Sequence, residues 1–345
     1  MRVTSRAGLV AGGLLLLVGC GARDETPGLP LAWLSYADDG TLIAASRWRV
    51  VRLDTQLNEI DRTVPPYPFE GDIQGLTFFG VSRDGRVAAF GWQADTYRDG
   101  PPTIDPGAIV FEVPSGNRLR VDPYPQANFQ GLSLSPDGRT MAVVPSPQVQ
   151  IASVADGQIL WEAQKAGWSP PLFTPDSASL IVATDLDQLE LVRASDGGHL
   201  AALVPPGHDG TMAVAVSADG STVASSSTVD PGSDVIAMWR LPDGALLRTV
   251  AWPEDLGGLP VSFALSPHGD RVAATVVPGG EHQNSLLVWE GDRLLYRRDG
   301  ETDWAVAFSP DGSTLAVANV KQGVRLLRAS DGVVLAQHKI LVDDL

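Results

Sequence analysis

The sequence predicts an all-β fold, a closed seven-bladed β-propeller of four-stranded antiparallel blades, and three observations carry the prediction. A ten-residue pattern, two apolar strand ends around a tight turn, recurs seven times along the 345 residues. A second kind of turn alternates with it. Between the turns stand short runs of Val, Leu, Ile and Ala bounded by Gly, Pro, Asp and Ser, and no long segment shows the 3.6-residue period of a helix.

Taken in order, the chain opens on a segment of different character. Arg2 and Arg6 precede an apolar run of 12 residues, Ala7 to Val18. That is too short to cross a bilayer core about 30 Å thick, which needs about 20 residues, and it has the layout of a secretory signal. The run ends in Leu17-Val18-Gly19-Cys20, which resembles the bacterial lipobox. The resemblance implies a lipoprotein signal peptide over 1–19, with Cys20 diacylated (palmitate among its acyl chains) as the mature N-terminus. Cys20 is the sole cysteine in the chain, which excludes an intramolecular disulfide framework and any multi-cysteine metal site. In the sorting rule that the resemblance imports, aspartate after the cysteine retains a lipoprotein in the inner membrane. Gly21 stands there, so the outer membrane is expected. Residues 20–30 then read as a polar lipidated tether rich in Pro and Gly.

The propeller is expected over 31–345. In its first repeat, Leu31 to Ala37 reads as strand a, Thr41 to Ser46 as b, Arg49 to Asp54 as c and Glu59 to Val64 as d. The a–b turns are YADDGTLIAA (Tyr36 to Ala45), VSRDGRVAAF (Val81 to Phe90), LSPDGRTMAV (Leu134 to Val143), FTPDSASLIV (Phe173 to Val182), VSADGSTVAS (Val216 to Ser225), LSPHGDRVAA (Leu265 to Ala274) and FSPDGSTLAV (Phe308 to Val317). In the last of these, Pro310 presets φ, Asp311 can bond its own backbone, and Gly312 takes the positive φ that closes the turn. Elsewhere Ser177 replaces the glycine, His268 the aspartate, and Asp38, Arg83 and Ala218 the proline. Proline and aspartate are thus preferences, and a small residue after them is close to a requirement.

The c–d turns are FEVPSGNRLRV, ASVADGQILWE, VRASDGGHLAAL, MWRLPDGALLRTV, VWEGDRLLYR and LRASDGVVLAQ, with a looser turn from Leu53 to Glu59. Two hairpin types alternating at a period of roughly 40 to 50 residues are the mark of blades that bury their faces against their neighbours. Small residues on the b strands (Ala44, Ala45, Ala88, Ala89, Ala273, Ala274, Ala316, Ala318) fit a convergence on an axis. Trp161, Trp239, Trp289 and Tyr296 supply the bulk farther out. Strand a follows the tether at once and Val333 to His338 completes a d strand, so each blade is expected from contiguous sequence.

At Gly207-His208, followed by TMAVAVSADG and then Met238-Trp239, the chain resembles WD-repeat propellers and related bacterial ones, and the resemblance extends over about Leu31 to His338. It implies a structural tetrad in that blade from His208, Ser225 or Ser226, Asp234 and Trp239. The sequence departs from the family where Arg240 and Glu290, not aspartate, follow Trp239 and Trp289.

Composition limits the partners. With 41 acidic and 25 basic residues the formal net charge is −16, a surface that repels phosphate backbones, and no basic stripe occurs, so no nucleic acid is expected. The five histidines are scattered, and no HExxH, GxSxG or phosphate-binding glycine loop occurs, so no catalytic residue, cofactor or metal is assigned. Each PDG turn offers one carboxylate where calcium wants six to eight oxygens. ADGQILWE (Ala155 to Glu162) resembles the tryptophan-docking segment of quinoprotein dehydrogenases and of propeller lipoproteins that help assemble outer-membrane proteins. It occurs in one blade of seven, so a quinone is not expected.

Loop length points to a working face. The a–b and c–d turns are short, whereas the b–c and d–a connections, which emerge together on the other face, are long, and long loops on a rigid scaffold are where function concentrates. The candidate anchors there are Tyr67, Phe69, Tyr97, Tyr124, Phe129 and Trp168, with Asp99, Glu254, Asp255 and Glu281 for acidic specificity. An alternative use of such rings is to plug the blade tops, as expected of Trp252 and Trp304. The expected function is a monomeric, lipid-anchored cell-envelope module, on the periplasmic or outer surface, that binds or scaffolds a protein or peptide partner without catalysis. The alternatives are an envelope enzyme of lactonase, hydrolase or quinoprotein type with its site at the axial mouth, where His, Asp, Glu or Arg should cluster, and an accessory factor for outer-membrane protein assembly.

Overall fold

In the computed structural model the described residues are 33–46, 49–68, 77–92, 105–124, 128–146, 148–164, 170–184, 188–204, 211–227, 235–253, 256, 258–278, 284–301, 303–319 and 323–339. They form seven four-stranded sheets. The blades span 33–63, 77–123, 128–163, 172–203, 211–251, 258–301 and 303–338. Within each, four consecutive strands pair antiparallel in the order a-b-c-d. Every blade is therefore contiguous in sequence, as expected, and among the described residues no strand from one end of the chain completes a blade of the other. The first and last blades meet face to face, strand a of blade 1 (Trp33–Tyr36) lying beside strand a of blade 7 (Asp303–Phe308). Leu42, Leu53 and Leu57 of blade 1 pack there on Ala316, Ala318 and Leu326 of blade 7. Burial, set partly against a hydrogen bond with Thr314, raises the Tyr36 phenol to about 12 at this seam.

The a strands, not the b strands, form the innermost layer, because neighbouring blades touch through them. Their closeness is set by small residues. A Cβ built on Gly80 in blade 2 would stand 2.6 Å from the backbone nitrogen of Leu134 in blade 3, and one on Gly131 would stand 2.9 Å from Pro170 Cα in the approach to blade 4. The alanines of the b strands lie one strand farther out, fully buried between blades. Outside them the c strands carry the largest buried rings, Trp239 and Trp289. The expected taper toward the axis is not present: the innermost a strands carry rings such as Trp33, Phe79, Phe129 and Phe308, and the small residues stand one strand farther out, where the b strands pack between blades.

One irregularity repeats in all seven blades. The c–d register slips next to the turn, for example between Ile151 and Ala152, Leu191 and Val192, and Met238 and Trp239. A bulge of this kind increases local twist.

Candidate functional site

Each a–b turn is a side-chain device as much as a backbone one. Ser135 Oγ donates to Asp137 Oδ1 at 2.7 Å and accepts the Thr140 N–H at 2.9 Å, while Asp137 Oδ1 also accepts the Arg139 N–H at 3.0 Å. The same triangle recurs at Ser82, Thr174, Ser217 and Ser309. In blade 6, where His268 takes the aspartate position, Ser266 donates to Asp270 two residues on. The opening Ser or Thr went unrecognised in the sequence, although its recurrence three residues before the glycine was a legible signal. Gly312 has φ +69°, as expected, and Ser177 reaches φ +60° without being glycine.

These turns also join blades. The Asp38 N–H donates to the Arg83 carbonyl, the Arg83 N–H to the Pro136 carbonyl, and the Asp219 N–H to the Pro267 carbonyl. His268 Nδ1 lies 3.1 Å from Asp219 Oδ2. Partial burial opposes the Asp219 charge, but the Ser221 N–H, the Ser217 and Ser221 hydroxyls and His268 outweigh it and hold the pKa down to about 2 against 3.8 for a free aspartate. A depressed folded-state pKa makes this charge stabilising above about pH 4, and the contribution is lost as the pH falls from about 4 to about 2. Asp219→Asn is therefore expected to flatten the acid-unfolding profile in that window, read by circular dichroism, relative to its loss at pH 7. A profile parallel to wild type would refute the linkage.

The c–d turns dock in a second belt. Trp161, on strand d of blade 3 (Ile159–Ala163), lies over Gly197 in the c–d turn of blade 4, where a Cβ would stand 2.9 Å from the indole, and its Nε1 donates to the Ala194 carbonyl at 2.7 Å. Arg120 covers Gly157, Ala201 covers Gly244, and Tyr296 covers Gly332 in the same manner. At the closing seam Leu57, with φ +65°, takes the glycine's place. The segment that resembled a tryptophan-docking motif is thus one case of a general blade-to-blade contact.

Of the anchors expected on the opposite face, Tyr67, Tyr124 and Phe129 are among the described residues. Phe69, Tyr97, Asp99, Trp168, Glu254, Asp255 and Glu281 lie outside the described residues, as does Cys20. Phe129 is fully buried, with Tyr124 at 5.4 Å, and burial raises the Tyr124 phenol well above its ordinary value. Tyr67 packs edge-on against Phe90 and Trp92 at 6.2 and 5.9 Å. Phe129 is core, a correction to its assignment as a partner anchor, because the wedge between two splayed blades must be closed at its end by bulky apolar groups; Tyr67 and Tyr124 are half-buried rings packed against the core. Trp252 plugs the wedge between blades 5 and 6 as expected, stacked on Trp289 at 5.4 Å; the Trp304 side chain lies outside the described residues.

Of the tetrad candidates, His208 and Asp234 lie outside the described residues. Ser225 pairs with Ala237 and Val223 with Trp239, so Ser225 and Trp239 share the blade face toward blade 4. Ser226 lies on the other face, which removes it as a partner for Trp239. The buried Ser225 Oγ finds no hydrogen-bond partner among the described residues.

Among the described residues no three His, Cys, Asp or Glu side chains come together to hold a metal. A cleft of about 170 Å³ lies between the a–b turns of blades 4 and 5, lined by Thr174, Asp176, Asp219 and Leu241 among others, smaller than the ~300–1,000 Å³ of drug-sized ligand sites. The described side chains of the a strands include no His, Asp, Glu, Lys or Arg. No described helix is long and apolar enough to cross a membrane.

Contiguous four-stranded blades, turn chemistry and the WD-like blade 5 define a WD-repeat-like β-propeller. The chain is 28% identical over 153 residues to an uncharacterized WD repeat-containing protein of Synechocystis sp., a match covering 42% of this chain and 41% of that protein. Among solved structures it resembles the β-propeller domain of Cps50 (Swd1) from Myceliophteria thermophila, with TM-score 0.64, 14% identity and coverage of 87% of this chain and 96% of that one. It also resembles hydrazine synthase of Kuenenia stuttgartiensis, with TM-score 0.63, 16% identity and coverage of 91% and 99%. At these identities the likeness is one of fold. No family model matches the chain.

Proposed function

We propose that this protein is a lipid-anchored propeller of the cell envelope that binds or scaffolds a protein partner and carries out no chemistry of its own. The observation that carries the reading is the closed ring of seven contiguous four-stranded blades, a WD-repeat-like scaffold compatible with protein binding. WD-repeat-like propellers present a rigid ring to partners, which supports the binding role. The anchor rests on the sole cysteine standing at the end of the apolar run, Leu17-Val18-Gly19-Cys20. Two or more acyl chains give stable attachment where one does not. In bacterial cells fed labelled palmitate, the wild-type chain is expected to take up label and to sediment with membranes, and Cys20→Ser to lose both. Label retained in Cys20→Ser would remove the anchor. On the partner side, in-cell cross-linking is expected to trap a protein adduct that persists in detergent and disappears when the protein is released into solution as Cys20→Ser.

A further inference from the structure

We propose that Leu57 and Ala336 form a size-reversed lock at the closing seam, which lets strand d of blade 7 (Val334–His338), and not strand d of blade 6 (Arg293–Glu301), close the ring on blade 1. Every other seam joins blades that are consecutive in the chain. This one joins the first blade to the last, and among the described residues they share no strand. The choice of partner therefore falls to the side chains packed between them.

The recurring c–d bulge fixes which residues correspond from blade to blade. The d-strand residue paired at the edge of the slip is Arg120 in blade 2, Trp161 in blade 3, Tyr296 in blade 6 and Ala336 in blade 7, opposite Val110, Ile151, Val288 and Leu326. Arg120, Trp161 and Tyr296 each lie over the turn glycine of the next blade, Gly157, Gly197 and Gly332. A Cβ on Gly197 or Gly332 would stand 2.9 or 2.7 Å from the covering ring, so a large d-strand residue is matched there to a turn with no side chain. Blade 4 places the smaller Ala201 over Gly244, and beyond Arg248 of blade 5 no atom lies within 4 Å of a Cβ built on Gly291.

At blade 1 the sizes are exchanged. Leu57 precedes Asn58, whose carbonyl accepts the Asp54 N–H, just as Gly116 precedes Asn117, whose carbonyl accepts the Glu112 N–H, so Leu57 occupies the turn-glycine position. It holds φ +65°, a conformation that glycine adopts freely and leucine rarely. A leucine kept in that conformation points to a use for its side chain. Leu57 is 2% exposed, in a cluster with Leu326 of blade 7 and with Ala336 packed against it. The alanine leaves the leucine its space. A tyrosine edge like that of blade 6, which already crowds a bare glycine in its own seam, would meet a branched side chain instead.

The test gives blade 7 the edge of blade 6 in the full chain. Against Leu57, Ala336→Tyr is expected to open the closing seam, so that amide hydrogen exchange in Trp33–Tyr36 and Asp303–Phe308 accelerates about tenfold or more while blades 3 and 4 keep wild-type protection. Adding Leu57→Gly removes the clash, and exchange in the double variant is expected to return to within about threefold of that in Leu57→Gly alone. Unchanged exchange in Ala336→Tyr, or the same acceleration with Leu57 as with Gly at that position, overturns the lock. If Ala336→Tyr does not fold, the double variant decides: cooperative unfolding in urea supports the size code, and a double variant that also fails to fold overturns it.

Discussion

Trp289→Ala is expected to cost about 3–5 kcal/mol of stability, the usual range for emptying a buried aromatic site. Trp289 is 2% exposed and packs between blades 5 and 6, with Ile236, Met238 and Val250 on one side and Leu265, Val272 and Leu287 on the other. The cavity left behind would be walled by strands paired on both sides, which cannot move inward without breaking register. Its stacking on Trp252, with centroids 5.4 Å apart and planes at 26°, adds a separable contribution. A double-mutant cycle with Trp252→Ala is expected to show coupling of about 0.5–1.5 kcal/mol. Urea unfolding followed by fluorescence and circular dichroism reads both quantities. A loss below about 1 kcal/mol for Trp289→Ala would mean that the seam between blades 5 and 6 collapses onto the gap.

Gly80→Ala is expected to destabilise by about 1–3 kcal/mol, an overpacking effect. The added carbon would stand 2.6 Å from Leu134 N and 3.0 Å from Leu134 Cβ, and a backbone atom has no rotamer through which to withdraw. In a closed ring, strain at one seam must be shared with the others. Gly291→Ala is the informative control, since no atom lies within 4 Å of its built Cβ although φ is +59°. It should pay only for the left-handed conformation, about 1–2 kcal/mol. Thermal unfolding of the two variants side by side separates steric from conformational cost. Gly80→Ala unfolding at the wild-type temperature would show that the a strands are not in tight contact.

Much of this architecture was legible in one dimension because its causes are local. A turn glycine, a preset proline and an alternating apolar pattern act within ten residues, so seven imperfect copies still announced seven hairpins, and the second turn type completed the blades. The partner rings of the d–a side were harder to read. Phe129 sits in a strand and Tyr124 follows one, and nothing in their immediate neighbours distinguishes a ring that plugs a wedge from a ring that waits for a partner. That difference depends on the adjoining blade. The same holds for Trp161, whose glycine, Gly197, stands 36 positions away, and for Arg120 over Gly157.

By itself, then, the sequence determined the repeat, the strand order within each blade, the contiguity of the blades and the conformation of the turns, all of which follow from backbone preferences and side-chain alternation over short spans. Only the tertiary structure decided which strand lines the axis, that Ser225 and not Ser226 shares a face with Trp239, that Phe129 is core while Tyr124 and Tyr67 pack half-buried against it or its neighbours, and that every outer strand reaches across to the next blade's turn. Those outcomes are set by the distance and angle between neighbouring blades, and that geometry arises when seven twisted sheets close on themselves and the last must meet the first.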